Sequence, residues 1–313
     1  MSGERIAIAI PFHRGLSYLK SAIESVLAQT RGEWLLVVRD DRGEPNADAV
    51  SRLVRSFADP RIRYDRNPEN LGMVANWNRC LDEAETDLVT LLHADDRLLP
   101  HYVATMLDVA GAYPDAAAFF CRAQIIGTKG ERRFSLPDFA KRLYSPRGRG
   151  PIVLRGETAL GSLMAGNFIM CPTLCLRRSV LGARCFEKGW SQVQDLEFTG
   201  RLLLEGELLV GSRSVAYAYR RHEESATTRQ SESLLRFEEE FALFEQIASR
   251  AEALGWLDAA SISRRARIVK LHLAVRALED LFAARPRRAL TKMRLSLRRS
   301  LRTREEDEPS SGV

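Results

Sequence analysis

Two pairs of adjacent aspartates are the residues whose type and spacing first suggest chemistry. Asp40 and Asp41 follow one short run of apolar and β-branched residues, and Asp95 and Asp96 follow another. In an open parallel sheet, ligands bind outside the carboxyl ends of the strands, so both pairs can converge on one crevice. Aspartates after strands also serve as turn formers and helix caps, and for either pair alone that role is the favoured interpretation. The two pairs together indicate a site for a divalent cation and a phosphorylated ligand, because such cations bind carboxylate and phosphate oxygens.

The elements that must position these aspartates alternate between short strands and amphipathic helices from residue 5 to about 124. This alternation is typical of a mostly parallel sheet flanked by helices, so the predicted fold class is α/β. The chain beyond residue 230 is predicted to be helical, with helices over 234–253 and 257–284 and a basic stretch that follows them. The predicted strands span 6–10, 34–38, 61–64, 88–92 and 215–219.

Three segments are predicted from this pattern. Residues 1–228 form a catalytic α/β domain, 229–304 form a helical extension with a basic amphipathic end, and 305–313 form a disordered acidic tail. Within the first segment, residues 125–155 are rich in Gly, Pro and Arg and predict a long loop. Loops of this length in compact domains are usually functional, so this one and the segment 156–193 are the expected acceptor-binding region.

The positive charge of the chain is concentrated near its C-terminus. The net charge is +6, of which +9 comes from residues 285–304, leaving −3 for the remainder. A lone basic helix without base-stacking or base-reading side chains argues against nucleic acid as a partner. The same segment carries an apolar stripe, which suits an anionic membrane surface and a lipid-linked acceptor. The alternative is that this stripe packs on the preceding helices. The apolar stripe consists of Leu290, Met293, Leu297 and Leu301.

Cysteine usage and hydropathy indicate where the protein works. The five cysteines lack the C-x-x-C spacing of a zinc site and are interpreted as small apolar residues in a reducing compartment. No apolar run approaches the ~20 residues that are needed to cross a bilayer. The protein is therefore expected to be cytoplasmic, and contact with the inner face of the membrane through 285–304 is a further hypothesis.

Six short motifs occur in order between residue 5 and about residue 228. They comprise the first strand with its proline, both aspartate pairs with the strands before them, an Asn-Leu-Gly turn, a Gln-Asp-Leu-Glu helix start and a Tyr-Arg-Arg-His run. In this order and spacing the sequence resembles the family 2 glycosyltransferases, the inverting enzymes of GT-A fold. The motifs are 6–11, 36–41, 70–72, 91–96, 194–197 and 219–222.

The resemblance implies a pocket for the donor nucleotide, with a UDP-sugar as the favoured donor. Asp41 matches the aspartate that binds the base or the ribose hydroxyls, and Asp95 matches the residue that touches the ribose as well as the metal. The other implied members of this pocket are Pro11, His13, Asn70, Gly72 and Asn76.

The resemblance also implies a metal and a catalytic base. Asp95 and Asp96 match the acidic motif that holds Mg²⁺ or Mn²⁺, and His222 falls where many members supply a further metal or diphosphate contact. Many relatives carry an aspartate in place of His93, which leaves open which of the two aspartates is the main ligand. Asp195 matches the general base, which would accept the proton of a glycan or lipid-linked acceptor in surface polysaccharide synthesis.

Three alternatives remain open at this point. The spacing of Asp195 alone favours a helix cap, since acidic residues are favoured in the first turn of a helix, whereas its position between Trp190 and the 219–222 run favours the functional role. A sugar-phosphate nucleotidyltransferase shares a similar sheet, but it would carry a Gly-rich phosphate loop after the first strand, where residues 11–15 contain a single glycine. A non-catalytic binding protein that uses the basic C-terminal segment on a membrane is the rival from another class.

Overall fold

The computed structural model describes residues 4–44, 47–135, 143–221 and 235–305, and in the last range the side chains only as far as residue 296. The strands are β1 Ile6–Phe12, β2 Trp34–Asp40, β3 Ile62–Arg66, β4 Leu88–Leu91, β5 Arg97–Leu98, β6 Ala116–Ile126, β7 Arg132–Arg133, β8 Ile152–Leu154, β9 Cys175–Arg177 and β10 Leu208–Arg220. The helices are α1 Leu16–Leu27, α2 Ala47–Arg55, α3 Met73–Asp82, α4 Tyr102–Ala112, α5 Gly156–Gly166, α6 Arg178–Leu181, α7 Gln194–Leu204, α8 Leu235–Ala253, α9 Leu257–Arg265, α10 Arg267–Phe282 and α11 Pro286–Glu305, and Cys171–Thr173 is a 3₁₀ turn.

One mixed sheet organises these elements. Its strand order is β3-β2-β1-β4-β9-β6-β10-β5, with β7 paired to β6 and β8 paired to β10. Strands β3, β2, β1 and β4 are mutually parallel, as are β6 and β10, whereas β9 runs antiparallel between β4 and β6. The predicted α/β sheet flanked by helices is confirmed. The parallel register places the carboxyl ends of β2, β1 and β4 side by side, which is where both aspartate pairs emerge.

The two faces of the sheet are covered by different helices. In β1, Ile6, Ile8 and Ile10 are fully buried against α1, α2 and α4. Ala7 and Ala9 alternate with them and face α3, α5, α7 and the C-terminal helices, because successive side chains of a strand point to opposite faces. Their small size lets α3 lie close to the sheet above the aspartates.

The C-terminal helices share the core of the α/β region. Phe237, Phe241 and Phe244 of α8 are buried in the same cluster as Phe198 and Leu202 of α7. Burying a large apolar side chain is worth about 1.5–3 kcal/mol, so α8 contributes substantially to the stability of the whole chain. The predicted domain boundary at residue 228 lies outside the described residues, as do residues 306–313 of the predicted tail.

The structure differs from the predicted elements in two places. The single helix predicted over 257–284 is broken at Ala266, which has a left-handed backbone (φ 43°) and separates α9 from α10. A residue in that conformation interrupts the i to i−4 hydrogen-bond series of a helix. The loop predicted over 125–155 contains the end of β6 and all of β7 and β8, which pair with β6 and β10. Among the described helices, none is both long enough and apolar enough to span a bilayer.

Candidate active site

The carboxylate of Asp41 organises the loop between β3 and α3. Its Oδ1 accepts hydrogen bonds from Asn67 Nδ2 and the Leu71 N–H, both at 2.8 Å, and its Oδ2 accepts one from the Gly72 N–H at 3.0 Å. Gly72 has φ 80° and ψ 165°, a conformation that is essentially restricted to glycine. Asp41 therefore holds this loop in place at the carboxyl end of β2, and the loop in turn surrounds a buried anionic group.

The remaining predicted nucleotide residues gather around this loop. Asn70 donates from Nδ2 to the Asp41 carbonyl oxygen at 2.8 Å and lies 3.4 Å from His13 Nδ1. Asn76, which is buried, accepts a hydrogen bond from Asn67 Nδ2 at 2.9 Å. His13 and Asn70 are exposed at the mouth of the crevice, and Pro11 is half-buried at the end of β1. The structure thus brings these residues and Asp41 together, with Asn76 beneath the loop.

The second aspartate pair lies in the turn between β4 and β5. Asp96 is buried, and it accepts hydrogen bonds from the Tyr217 hydroxyl at 2.9 Å and from the Arg220 N–H at 2.7 Å, one on each oxygen. Burial raises the pKa of Asp96 well above its ordinary value, and the charge of Asp95 acts in the same direction. Asp95 is half-buried. Of the two carboxylates, Asp95 has the greater access to the crevice.

Arg220, at the end of β10, holds the backbone of this turn. Its Nε donates to the Asp95 carbonyl oxygen at 2.6 Å, and its Nη1 donates to the carbonyl oxygens of Gly127 and Thr128. The guanidinium carbon also lies 4.9 Å from the ring centroid of Tyr18 on α1. One buried arginine therefore joins the aspartate turn, the end of β6 and α1.

His93 completes a group of possible metal ligands. One atom each from His93, Asp95 and Asp96 lie within 4.8 Å of one another. The His93 Nε2 atom is buried and has no hydrogen-bond partner among the described residues. One nitrogen and two carboxylates at this separation, together with an unsatisfied buried nitrogen, fit a divalent cation.

Asp195 approaches this group from α7. It is the second residue of that helix, where the helix dipole favours a negative charge. Burial lowers the pKa of His93, while the charges of Asp95 and Asp195 both act to raise it. Burial likewise raises the pKa of the Cys171 thiol, and the charges of Asp195 and Asp96 add to that effect. Asp195 and the aspartate turn therefore both lie near the His93 imidazole and the Cys171 thiol.

The loop that leads into α7 is fixed by a residue of α8. The carboxylate of Glu239 accepts hydrogen bonds from the Ser191 N–H at 3.0 Å and the Gln192 N–H at 2.8 Å. Within α7, Glu197 is buried and is paired with Arg201, whose Nε donates to it at 2.6 Å. The position of Asp195 thus depends on a carboxylate from a helix that lies much later in the chain.

Several residues on which this geometry depends are not predicted by the sequence motifs. Arg220 belongs to a motif that was recognised, and strand alternation along β10 could have placed its side chain inward. No local signal distinguishes Asn67, Tyr217 or Glu239 from other polar residues. His222, the remaining predicted metal contact, lies outside the described residues.

Comparison with known proteins places the chain in a family. The model of Glycosyl transferase family 2 matches residues 7–181, more than half of the chain. The chain belongs to glycosyl transferase family 2. The match spans both aspartate pairs and the loop around Asp41, and it ends before Asp195, Arg220 and Glu239. The family predicted from the motifs is thereby confirmed.

Curated relatives of this family 2 chain are distant. An uncharacterised Mycobacterium tuberculosis protein is 28% identical over 203 residues, covering 64% of this chain and 62% of that protein. Glycosyltransferase GlyA of Streptococcus pneumoniae serotype 4 is 29% identical over 105 residues, covering 33% of this chain and 14% of that protein. The chain thus spans less than two thirds of the length of these relatives.

Solved structures match over nearly the whole chain. Mannosyltransferase PcManGT from Pyrobaculum calidifontis, in complex with GDP-Man and Mn²⁺, has a TM-score of 0.61 at 15% identity and covers 97% of this chain and 88% of that one. S. aureus TarS 1-349, in complex with UDP-GlcNAc, has a TM-score of 0.57 at 15% identity and covers 95% and 92%. At this identity the similarity establishes the fold, which is the GT-A fold of glycosyltransferases with its C-terminal helices.

Proposed function

We propose that the chain transfers a sugar from a nucleoside diphosphate sugar to an acceptor hydroxyl, with inversion at the anomeric carbon. The observation that carries this proposal is the proximity of Asp195 and the Asp95–Asp96 turn to His93, in a chain of family 2. This arrangement offers a carboxylate base and a cation-binding group near the same imidazole.

In this mechanism Asp195 is the general base. The acceptor oxygen attacks the anomeric carbon, its proton passes to the Asp195 carboxylate, and the bond between the anomeric carbon and the diphosphate oxygen breaks. The attack comes from the face opposite the departing diphosphate, so the configuration at that carbon inverts. General-base catalysis of this kind contributes about 10²–10⁴-fold to a rate.

The donor is proposed to lie along the strand ends. Asp41 and its loop hold the nucleoside, with His13 and Asn70 at the mouth of the crevice. Asp95 and Asp96 would hold a Mg²⁺ or Mn²⁺ ion, and His222 is a further proposed contact. When bound, such a cation supplies positive charge that stabilises the departing diphosphate. A UDP-sugar is the favoured donor, and the UDP-GlcNAc, UDP and GDP-Man complexes of structural neighbours support a nucleoside diphosphate sugar in general.

Donor screening followed by product analysis tests this proposal. Thermal shift against a panel of UDP-, GDP- and dTDP-sugars with Mn²⁺ identifies the donor, since a ligand at a hundredfold excess over its Kd adds about 2.7 kcal/mol of stability. Release of the nucleoside diphosphate and an inverted anomeric signal in the NMR spectrum of the product are the expected results. Pyrophosphate release from a nucleoside triphosphate and a sugar phosphate would instead identify a nucleotidyltransferase. Binding without turnover of any donor would identify a non-catalytic protein.

A lipid-linked acceptor is supported by an exposed surface on the last two helices. Four apolar residues of α10 lie on one face and are 45–90% exposed, with Phe282 the most exposed. On α11, Ala289 and Lys292 are buried, whereas Leu290 and Met293 are each 49% exposed. The stripe predicted on α11 is therefore open over its first two residues, and the side chains of Leu297 and Leu301 lie outside the described residues. The four exposed apolar residues on one face of α10 are Leu271, Val275, Leu278 and Phe282.

The proposed occupant of this surface is an anionic membrane. Residues 285–304 carry a charge of +9 next to the apolar face, which matches the composition of helices that lie in the lipid headgroup region. A location at the cytoplasmic side of a membrane accords with the five free cysteines. Surface glycan synthesis on a lipid carrier is the role that this placement favours.

Vesicle co-sedimentation tests the membrane proposal. The protein should bind vesicles that contain phosphatidylglycerol and bind pure phosphatidylcholine far less. The double variant L278S/F282S should lower the partition coefficient at least about tenfold, because each apolar side chain contributes ~1.5–3 kcal/mol. Leu257→Ser, at an equally exposed residue of α9, is the matched control. If the double variant binds vesicles normally but loses a dimer seen by light scattering, the surface serves self-association and the membrane proposal is wrong.

A further inference from the structure

His93 has the environment of a ligand rather than of a core residue. Its Nε2 is buried without a hydrogen-bond partner among the described residues, and such an atom costs free energy unless something binds it. Its Nδ1 lies 3.9 Å from Asp96 Oδ2, which is too far for a hydrogen bond. The ring nevertheless has one ligand atom within 4.8 Å of carboxylate oxygens of both Asp95 and Asp96.

The plane of the imidazole is held by aromatic contacts. The Trp77 ring stacks on it with centroids 5.5 Å apart and planes at 26°. Trp77 is itself buried and meets Phe186 edge-on, with centroids 5.2 Å apart. The backbone of Phe186 exchanges two hydrogen bonds with the Asn78 side chain. These contacts orient His93 before any ligand binds, as a preorganised metal site requires.

We propose that His93 is a nitrogen ligand of the divalent cation and makes this site prefer Mn²⁺ to Mg²⁺. The inference rests on the cation of the proposed function and goes beyond it by assigning His93 as a further ligand and by naming a metal preference. Mg²⁺ selects oxygen ligands and retains water, whereas imidazole suits transition-metal ions and carboxylate suits Mn²⁺ as well as Mg²⁺. A mixed set of one imidazole and two carboxylates therefore favours Mn²⁺ over Mg²⁺.

Pulsed electron paramagnetic resonance of bound Mn²⁺ tests this assignment without any turnover. The full chain is loaded with Mn²⁺ and UDP, and the echo modulation of directly bound imidazole ¹⁴N is recorded. Because His222 is also a proposed metal contact, every protein in this test carries His222→Gln. The signal is expected in this background and absent when His93→Gln or His93→Asp is added. Calorimetry should show that the ratio of Mn²⁺ to Mg²⁺ affinity falls at least about tenfold in His93→Asp, which replaces nitrogen by oxygen. Circular dichroism confirms that each variant is folded.

His101→Gln is the matched control. His101 is exposed, and its Nε2 lies 3.0 Å from the Val215 carbonyl oxygen, away from the proposed ligands. The imidazole signal should persist in this variant. Mn²⁺ bound by the His222→Gln protein without an imidazole signal, or a signal that survives when His93→Gln is added to it, would overturn the assignment. An intact imidazole signal in a protein that turns over no nucleotide sugar would support His93 as a metal ligand and contradict the proposed function. Failure of the ligand assignment and failure of the proposed function are therefore distinguishable.

Discussion

The proposed nucleotide side of the crevice, around Asp41, and the proposed catalytic side, around Asp96 and Asp195, are held by contacts of very different range. On the nucleotide side, Asp41 accepts its three hydrogen bonds from residues 26, 30 and 31 positions further along the chain. On the catalytic side, Tyr217 and Arg220 reach Asp96 across 121 and 124 positions, and Glu239 fixes the loop before Asp195 across 47 and 48.

This difference coincides with the extent of the family match. The nucleotide side lies within residues 7–181, whereas Arg220, Glu239 and Asp195 lie beyond them. The donor half of the crevice is thus a self-contained unit of the common family segment. The proposed catalytic half is held by later parts of the chain. Variants on each side should therefore affect different kinetic constants.

The largest expected effect comes from Asp195→Asn. Loss of the general base should lower kcat by about 10²–10⁴-fold, because an amide cannot accept the acceptor proton. The Kd of the donor, measured by calorimetry, should change less than about twofold. Asp82→Asn, at an exposed residue at the end of α3, is the control. An equal loss of turnover and donor binding would show that Asp195 holds the donor, and the proposed division of the crevice would be wrong.

Asp41→Asn should affect the KM of the donor much more than kcat, the opposite of what is expected for Asp195→Asn. The new amide group would face N–H donors that now meet a carboxylate, and hydrogen bonds to charged groups are worth about 1.5–3 kcal/mol. We expect the KM of the donor to rise at least about tenfold while kcat falls much less. Urea unfolding should show a loss of stability of about 2 kcal/mol or more. A variant that lost kcat at unchanged KM would contradict the nucleotide-side role of Asp41.

Glu239→Ala tests whether α8 positions the catalytic side. The N–H groups of Ser191 and Gln192 would lose their acceptor, and the loop before Asp195 would be less well fixed. We expect kcat to fall about tenfold, equivalent to ~1.4 kcal/mol, with an unchanged donor Kd. Glu239→Gln, which retains one acceptor oxygen, should recover part of the activity. Glu238→Ala, at the exposed neighbouring residue, is the control, and an equal effect there would indicate a general disturbance of α8.

The smallest effect is expected from the ion pair that joins the last two helices, far from the crevice. Lys292 Nζ lies 2.6 Å from Asp280 Oδ2. The hydrogen bond from Lys292 lowers the pKa of Asp280, so the pair stabilises the fold above the ordinary aspartate pKa of ~3.9. This contribution is lost as the pH falls through the lowered pKa.

Asp280→Asn should therefore cost about 1 kcal/mol at neutral pH, because the amide oxygen can still accept the hydrogen bond from Lys292 but carries no charge, and the difference from wild type should shrink as the pH falls below ~3.9. Urea unfolding at several pH values between 7 and 3 measures the loss of stability and its dependence on pH. Turnover should be unchanged. A pH-independent difference would show that the ion pair is not its source.

Local pattern predicted the fold class and the position of Asp41 at the end of β2. The run 34–38 is apolar and β-branched, so it predicts a strand, and the position of Asp41 just after it predicts a place in the crevice. The break between α9 and α10 was missed because alanine is the best helix former, and only the surrounding structure places Ala266 in a left-handed conformation.

The amino-acid sequence by itself determined the parallel strands, the family and the aspartates at the strand ends, because strand period and motif order are local properties of the chain. Only the tertiary structure decided how those aspartates are used. It buried Asp96 between Tyr217 and Arg220, left Asp95 more accessible, and brought His93 into the reach of Asp195. These outcomes depend on which distant segments pack together, and the free energy that selects the packing comes from the whole core.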